Sequence, residues 1–461
     1  MTSLGPSPKA AGVFCMLPWV HMNVATNGDV KPCCVADQNR PVGNLHSAAL
    51  KELWNSADMR RMRLNMLGGE KSPQCRYCYD LEKGQFPSPR QYANKHFAHH
   101  FPAVEKTRPD GSLERPRMAL MDIRFSNVCN FRCRTCTPTA SSSWHEDAKA
   151  LNGYSDPKIL TPTADPEDLW RQIEPLIPDL EEIWFTGGEP FLGNDHLRLL
   201  NLLIHKRILN VKIRYSTNFS AITRWSADVM KAWSHFRGIE IRASLDAIGK
   251  RGDYLRKGMA WKQVIRDRKA MATICPEVHF MVAPTISIMN VLHLPDFHRE
   301  WLEQGLVKFG NWRPNILSSP EEYCIQALPS SIKQEVIEKY ERHIETTLRP
   351  RKGDDEPLTE KAPDATPEQR AEAPPKPTDM AKGDTFYKIA MSLNAGWRSR
   401  MPDKTPGASA DAMYYKATLN FMTARDRSAW LPKFRETTGN LDRLRGENFS
   451  EVFPELARLM D

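Results

Sequence analysis

The chain has no dense block of lysine and arginine, no clean apolar run long enough to cross a bilayer, and almost no cysteine beyond residue 136. Each absence excludes something. The net charge of +8 comes from 64 basic and 56 acidic side chains scattered over 461 residues, so no nucleic-acid partner is expected. Residues 10–28 carry no Asp, Glu, Lys or Arg, but Pro18, His21, Asn23, Thr26 and Asn27 interrupt them. They read as the start of a folded domain, not a signal peptide or a membrane span. No membrane partner and a cytoplasmic location are therefore the expectation. Residues 349–384 are dense in Pro, Glu, Lys, Asp and Ala and have almost no large apolar side chain. Such a composition cannot bury a core, so a disordered linker or surface loop is expected there.

What is present is cysteine at one end. Eight of the ten cysteines lie before residue 137, at 15, 33, 34, 75, 78, 129, 133 and 136. Disulfide frameworks belong to small secreted domains, whereas clustered thiols in a large chain argue for metal binding in a reducing compartment. Cys129, Cys133 and Cys136 form a Cx3Cx2C loop directly after the apolar run 118–125. Three thiolates leave one corner of a small metal cluster open, and the spacing is a poor match to paired zinc hooks. Cys15, Cys33, Cys75 and Cys78 make up a four-thiolate set. Strand geometry would send Cys33 and Cys34 to opposite faces, so one site takes only one of them, and the sequence leaves open which. From spacing alone, zinc remains an alternative for this second set.

The rest of the chain supplies a frame. Asn27-Gly28-Asp29 is a hairpin turn between strands over 19–24 and 30–35, and Ser47 is placed to cap a helix over 48–64. The His-rich stretch 95–101 reads as a helix end packed on the next domain. From residue 118, strands over 118–125, 181–186, 211–217, 238–245, 277–284 and 306–312 alternate with helices over 166–176, 193–206, 225–235, 259–272 and 291–303. This rhythm predicts a parallel α/β sheet, an open or partial barrel of six units, with its site at the C-terminal strand ends. Helices are further expected over 331–347, 385–398 and 409–426, and the C-terminal residues should dock back on the body.

Thr186-Gly187-Gly188-Glu189-Pro190 falls at such a strand end, as do Ser216-Thr217-Asn218, Ser244-Leu245-Asp246 and Ile286-Ser287-Ile288. Bare glycines let a backbone approach a ligand, and a carboxylate beside them can hold an ammonium group.

With these motifs in place, the chain resembles the radical S-adenosylmethionine (SAM) enzymes. The resemblance implies a partial (β/α)6 TIM-like barrel in which Cys129, Cys133 and Cys136 hold a [4Fe-4S] cluster whose open iron chelates SAM. It implies SAM contacts from Gly187, Gly188, Glu189, Pro190, Ser216, Asn218, Ser244, Asp246, Arg256 and Ile288. Two departures stand out: Thr135 replaces an aromatic residue, and Phe219 replaces the glycine of a Thr-Asn-Gly motif. The first 80 residues resemble the twitch/SPASM module, a small α+β domain here placed before the barrel. It implies an auxiliary [4Fe-4S] cluster on Cys15, Cys33, Cys75 and Cys78.

The expected domains are then 1–80 for the module, 81–117 for a connector, 118–315 for the barrel, 316–348 for a helical extension, 349–384 for the linker and 385–461 for C-terminal helices. The resemblance implies that reductive cleavage of SAM yields a 5′-deoxyadenosyl radical that abstracts a substrate hydrogen, with the auxiliary cluster aiding electron transfer or substrate binding. A peptide is the favoured substrate, and a dehydrogenase or epimerase of a small sugar or alcohol is the alternative. A flavodoxin or ferredoxin is the expected electron donor. A zinc-binding interaction protein without catalysis is the competing class. No catalytic acid–base pair beyond the cluster is evident.

Overall fold

A computed structural model of the chain describes residues 12–220, 227–236, 238–348 and 408–461. Twelve strands are present among them: β1 His21–Val24, β2 Asp29–Lys31, β3 Gly43–Asn44, β4 Leu120–Ile123, β5 Arg132–Cys133, β6 Glu182–Phe185, β7 Lys212–Thr217, β8 Gly238–Ala243, β9 Arg256–Lys257, β10 His279–Val282, β11 Thr285–Ile286 and β12 Asn315–Ile316. Eight form one sheet in the order β10-β8-β7-β6-β4-β1-β2-β3. The six from β10 to β1 are parallel, and β2 and β3 continue antiparallel. The protein is thus α/β with an open, largely parallel sheet.

The sixth parallel strand is not the one expected. Residues 306–312 form no strand, and only Trp312 bridges, to Val282. Gly305 and Gly310 both take positive φ, at 65° and 80°, and leave too little extended chain between them. The place is filled at the opposite edge by β1, from the cysteine-rich N-terminal region. Side chains reinforce that pairing: the His21 ring shares a hydrogen bond with the Leu120 carbonyl at 2.8 Å, and Asn23 Nδ2 donates to the Asp122 carbonyl at 3.2 Å. The N-terminal module is therefore continuous with the barrel sheet.

The strand pattern explains the layers. Ile183, Phe185, Ile213, Tyr215, Ile239 and Ile241 alternate with Glu182, Trp184, Arg214, Glu240 and Arg242. The apolar set is covered by helices Asp195–His205 and Ala227–Trp233, where Phe191 stacks on Tyr215 at 4.6 Å. The other face carries a buried charge ladder: Glu182–Arg214 at 2.5 Å, Arg214–Glu240 at 3.2 Å and Lys212–Glu240 at 3.0 Å. Burial alone would raise Glu240, but Arg242, Arg214 and Lys212 override it and hold its carboxyl well below the usual range.

The expected helix over 48–64 is broken in two, Leu50–Leu53 and Ala57–Gly68. Ser56 caps the longer one, accepting from the Met59 amide at 3.3 Å, whereas Ser47 Oγ donates to the Asn44 carbonyl inside the preceding turn. The His-rich stretch is a helix end on the barrel: His99 and His100 both reach the Glu181 carboxylate, and His96 reaches Glu182. Long helices run over Ser330–Thr346 and Ala408–Thr423, and Leu431–Arg445 lies against the barrel. The expected linker over 349–384 and helix over 385–398 lie outside the described residues. Among the described residues, no helix is long and apolar enough to cross a membrane.

Candidate metal centre and cofactor site

All parallel strands end at one edge, and the loops that leave it converge. The loop after β4 carries Cys129, Cys133 and Cys136. It folds back as β5, which pairs with β9 through Cys133 and Arg256. The loop after β6 lies directly upon it: the Gly188 amide donates to the Ser126 carbonyl at 3.2 Å and the Glu189 amide to the Val128 carbonyl at 2.7 Å. A Cβ built on Gly188 would stand 2.0 Å from the Val128 carbonyl oxygen, so only glycine fits between the two loops. Gly187, at φ 119°, lies less tightly, a Cβ there standing 3.0 Å from the Ser126 carbonyl oxygen and 3.3 Å from Arg124 Cβ.

Glu189 is buried and accepts three hydrogen bonds: from Thr217 Oγ1 at 2.8 Å, the Asn218 amide at 2.7 Å and the Phe191 amide at 3.3 Å. Burial pushes its carboxyl up to about 7 against those bonds. Asn218 Nδ2 donates to Asn130 Oδ1 at 2.9 Å and faces the Cys129 sulfur at 3.7 Å. Pro190 opens a single 3-10 turn behind the motif. Thr217, inside the Ser216-Thr217-Asn218 motif, therefore joins the site with a role of its own, as do Asn130 and Ser220, to which the sequence assigned none. A Thr or Asn hydrogen-bonded across two strand ends has no local pattern of its own.

Phe219 shows what its departure means. It takes φ 61°, the left-handed conformation a glycine adopts freely, and its ring is fully buried 5.2 Å from Phe280. The backbone shape of the turn is kept at some cost in strain, and the ring anchors it. Phe219→Gly should relieve about 1 kcal/mol of strain but forfeit a buried ring, for a net loss of about 2–4 kcal/mol. Urea denaturation of the cluster-free chain measures it.

At the end of β8, Asp246 grips Arg256 with both oxygens, at 2.8 and 3.0 Å, and also accepts from the Thr285 amide at 2.7 Å. Arg256 in turn faces the Cys133 sulfur with Nη1 at 3.7 Å. The guanidinium is thus committed to a carboxylate and a thiol, both buried. The Cys133 thiol donates to Cys136, and Cys136 gives up its proton below the ordinary thiol range, helped by Arg256. Burial pushes Cys129 up to about 11. Ser244 and Ser216 are half-buried along the same edge, and the Ser244 amide donates to the Thr217 carbonyl at 2.8 Å. Ile288 is fully buried, its amide donating to the Tyr323 carbonyl. It lies in the core beneath the edge.

The second thiol set forms around β1 and β2. β2 stops at Lys31, so Cys33 and Cys34 lie in the turn beyond it and not on opposite faces of a strand. Within that turn Cys33 is neighboured by Cys34, Cys78, Cys75 and Cys15, whereas Cys34 lies beside Asp122 and Arg124 first and Cys78 after them. Burial raises all five thiols, Cys75 to about 11 and Cys78 to about 12. A bound metal reverses that preference by taking thiolates as ligands.

The donor sets can be tested against metals. Zinc–sulfur bonds of about 2.3 Å put the sulfurs of a tetrahedral ion about 3.8 Å apart. Among the described residues, no three cysteine sulfurs lie within 4.8 Å of one another. Both nests are wider than a single zinc ion asks for, and all-thiolate sets of this kind suit a polynuclear iron–sulfur cluster.

Residues 123–303 match the model of the radical SAM superfamily, and residues 15–79 match that of the SPASM iron–sulfur cluster-binding domain. The first span holds Cys129, Cys133, Cys136 and the Gly-Gly-Glu-Pro motif, and the second holds all five N-terminal cysteines. No curated protein matches the chain significantly. Among solved structures, the chain is similar to anSMEcpe with bound AdoMet, at 16% identity and a TM-score of 0.35, over 50% of this chain and 60% of that one. It is also similar to Streptococcus suis SuiB bound to precursor peptide SuiA, at 15% identity and a TM-score of 0.34, over 64% of this chain and 60% of that one. The chain spans about three-fifths of the length of these structures.

Proposed function

We propose that this chain, whose residues 123–303 match the radical SAM superfamily and whose residues 15–79 match the SPASM domain ahead of it, is a radical SAM enzyme that modifies a peptide held between its two cluster sites. Cys129, Cys133 and Cys136 would hold the SAM-binding [4Fe-4S] cluster, and Cys15, Cys33, Cys75 and Cys78 the auxiliary one. When bound, cluster and SAM together supply one-electron cleavage and hence a hydrogen-abstracting radical. Gly187 and Gly188 keep the loop of the cysteines closed against the strand ends. Asn218 and Arg256 present N–H groups to the Cys129 and Cys133 sulfurs, donors that would serve the thiolates once a metal holds them. An electron donor of the flavodoxin or ferredoxin type completes this reading.

One observation carries the substrate assignment. Asn23, Asp122 and Arg124 share one face of the paired strands β1 and β4, with Asn23 opposite Asp122 in register. Asn23 Oδ1, Asp122 Oδ2 and Arg124 Nε are buried without a hydrogen-bond partner. Asp122 Oδ1 meanwhile accepts from Thr186 Oγ1 at 2.8 Å. This face touches Gly187 at one end, through Arg124, and Cys34 at the other, through Asp122. It therefore spans the gap between the SAM motif and the N-terminal cysteines. Two unpaired acceptors and an unpaired donor side by side call for a ligand that both donates and accepts, as a peptide amide does. The paired acceptors also suit vicinal hydroxyls, which keeps oxidation or epimerisation of a small sugar or alcohol as the second reading.

The test is anaerobic reconstitution followed by 5′-deoxyadenosine formation with short peptides encoded beside the gene, against a panel of polyols. Stimulation by a peptide and a mass change in it support the assignment; stimulation by polyols alone overturns it in favour of the second reading. Asp122→Asn puts a donor where an acceptor stands, so the substrate KM should rise about tenfold to a hundredfold at unchanged iron content. An unaltered KM removes Asp122 from the substrate site.

A further inference from the structure

The C-terminal arm after residue 430 has no part in the chemistry described above, yet it reaches into the cysteine loop. Arg134 stands between Cys133 and Cys136, and its side chain is wholly buried. Its Nη2 meets Asp442 Oδ1 and, at 2.6 Å, Glu447 Oε2, two acids more than 300 residues away in sequence. The guanidinium lies 3.6 Å over the Tyr254 ring, and its Nε donates to the Tyr254 carbonyl at 3.2 Å. Tyr254 in turn donates its hydroxyl to Asp442 at 2.8 Å, and Lys257 reaches Glu447 at 2.9 Å.

A second link runs in parallel. Asp147 binds Arg132 of the loop at 2.7 Å and Arg445 of the arm at 2.7 Å. Trp144, under the Arg445 guanidinium at 4.9 Å, donates its indole N–H to the Cys133 carbonyl at 2.6 Å. Leu441 packs with Trp144 beside Cys136.

We propose that residues 431–461 are a clasp on the cysteine loop, in which Asp442 and Glu447 act through Arg134 as positioning residues for Cys133 and Cys136. The proposal rests on the reading that these cysteines hold the SAM-binding cluster. The physical reason is the position of Arg134. A cation buried between two ligand cysteines is tolerated only with its anions in place, and both anions come from the arm. Its fixed fork then sets the loop's path with directional bonds. Removing the anions leaves the charge uncompensated, and the loop must open to let water reach it.

The test uses the full chain carrying Asp442→Asn and Glu447→Gln together. In the cluster-free protein, hydrogen exchange of the amides in 129–136 should speed up on the order of tenfold, the factor expected for losing a charge-assisted contact. The amides of β7 should keep their protection. In the reconstituted protein, iron release to a chelator should become biphasic, about half of the iron leaving faster. Glu455→Gln cuts a different attachment of the same arm, to Arg251 at 2.8 Å, and should change neither readout. Unchanged exchange in 129–136, or equal acceleration in β7, overturns the clasp. Absence of iron from the wild-type protein would instead refute the cluster reading, and the exchange result would stand apart from it.

Discussion

Gly188→Ala should abolish retention of the SAM-binding cluster, leaving about four of eight irons per chain if both sites hold four-iron clusters. The reason is purely steric. The added methyl meets a carbonyl oxygen at 2.0 Å, with the carbonyl carbon of Val128 at 2.5 Å and that of Asn127 at 2.7 Å behind it. These are backbone atoms of the cysteine loop itself, so no rotamer change relieves the clash. The loop must move, and it takes Cys129 with it. Overpacking typically costs about 1–3 kcal/mol, and a backbone clash belongs at the upper end. Gly193→Ala is the control, since its methyl would meet nothing closer than Asp195 Oδ2 at 3.7 Å. Iron analysis and the melting temperature of the cluster-free chain check both variants. Full iron content in Gly188→Ala would mean that the two loops are not packed as described.

Cys33→Ala should lower iron content by about half, as should Cys75→Ala, whereas Cys34→Ala should leave it unchanged. The two adjacent thiols differ in company. Cys33 has all four other N-terminal cysteines around it, whereas Asp122 and Arg124 lead the surroundings of Cys34, ahead of Cys78. If Cys34→Ala lost the iron and Cys33→Ala kept it, the auxiliary site would have to be built around Asp122. The substrate face proposed above would then need a new place. Iron counting after anaerobic reconstitution, with the absorbance near 400 nm, decides between the two. Iron-free wild-type protein under those conditions would refute both cluster assignments.

Much of this was readable in advance because the relevant signals are local. The Cx3Cx2C spacing, the Gly-Gly-Glu-Pro turn and the alternation of strands with helices each depend on residues near one another in the chain, where covalent geometry limits what can form. Five of the six expected strands formed where the pattern placed them, and the motifs line the edge to which they lead. The failures share a cause. Residues 306–312 have the composition of a strand, but Gly305 just before them and Gly310 within them take positive φ and deny them extension. The helix over 48–64 was expected to run through Asn55 and Ser56, yet Asn55 accepts from the Leu113 amide and Arg63, and the helix restarts after Ser56.

The sequence by itself determined which thiols, glycines and acids are available and in what order they meet the strand ends. Tertiary structure alone decided how they are shared. It made β1 the sixth parallel strand, which joins the N-terminal cysteines to the barrel sheet. It put Cys33 and Cys34 in a turn and not on a strand by ending β2 at Lys31. It also brought Asp442 and Glu447 to Arg134 across 308 and 313 residues. Spacing encodes contacts within a turn of chain. Contacts between distant segments arise only when buried charges and unpaired strand edges find the partners that compensate them.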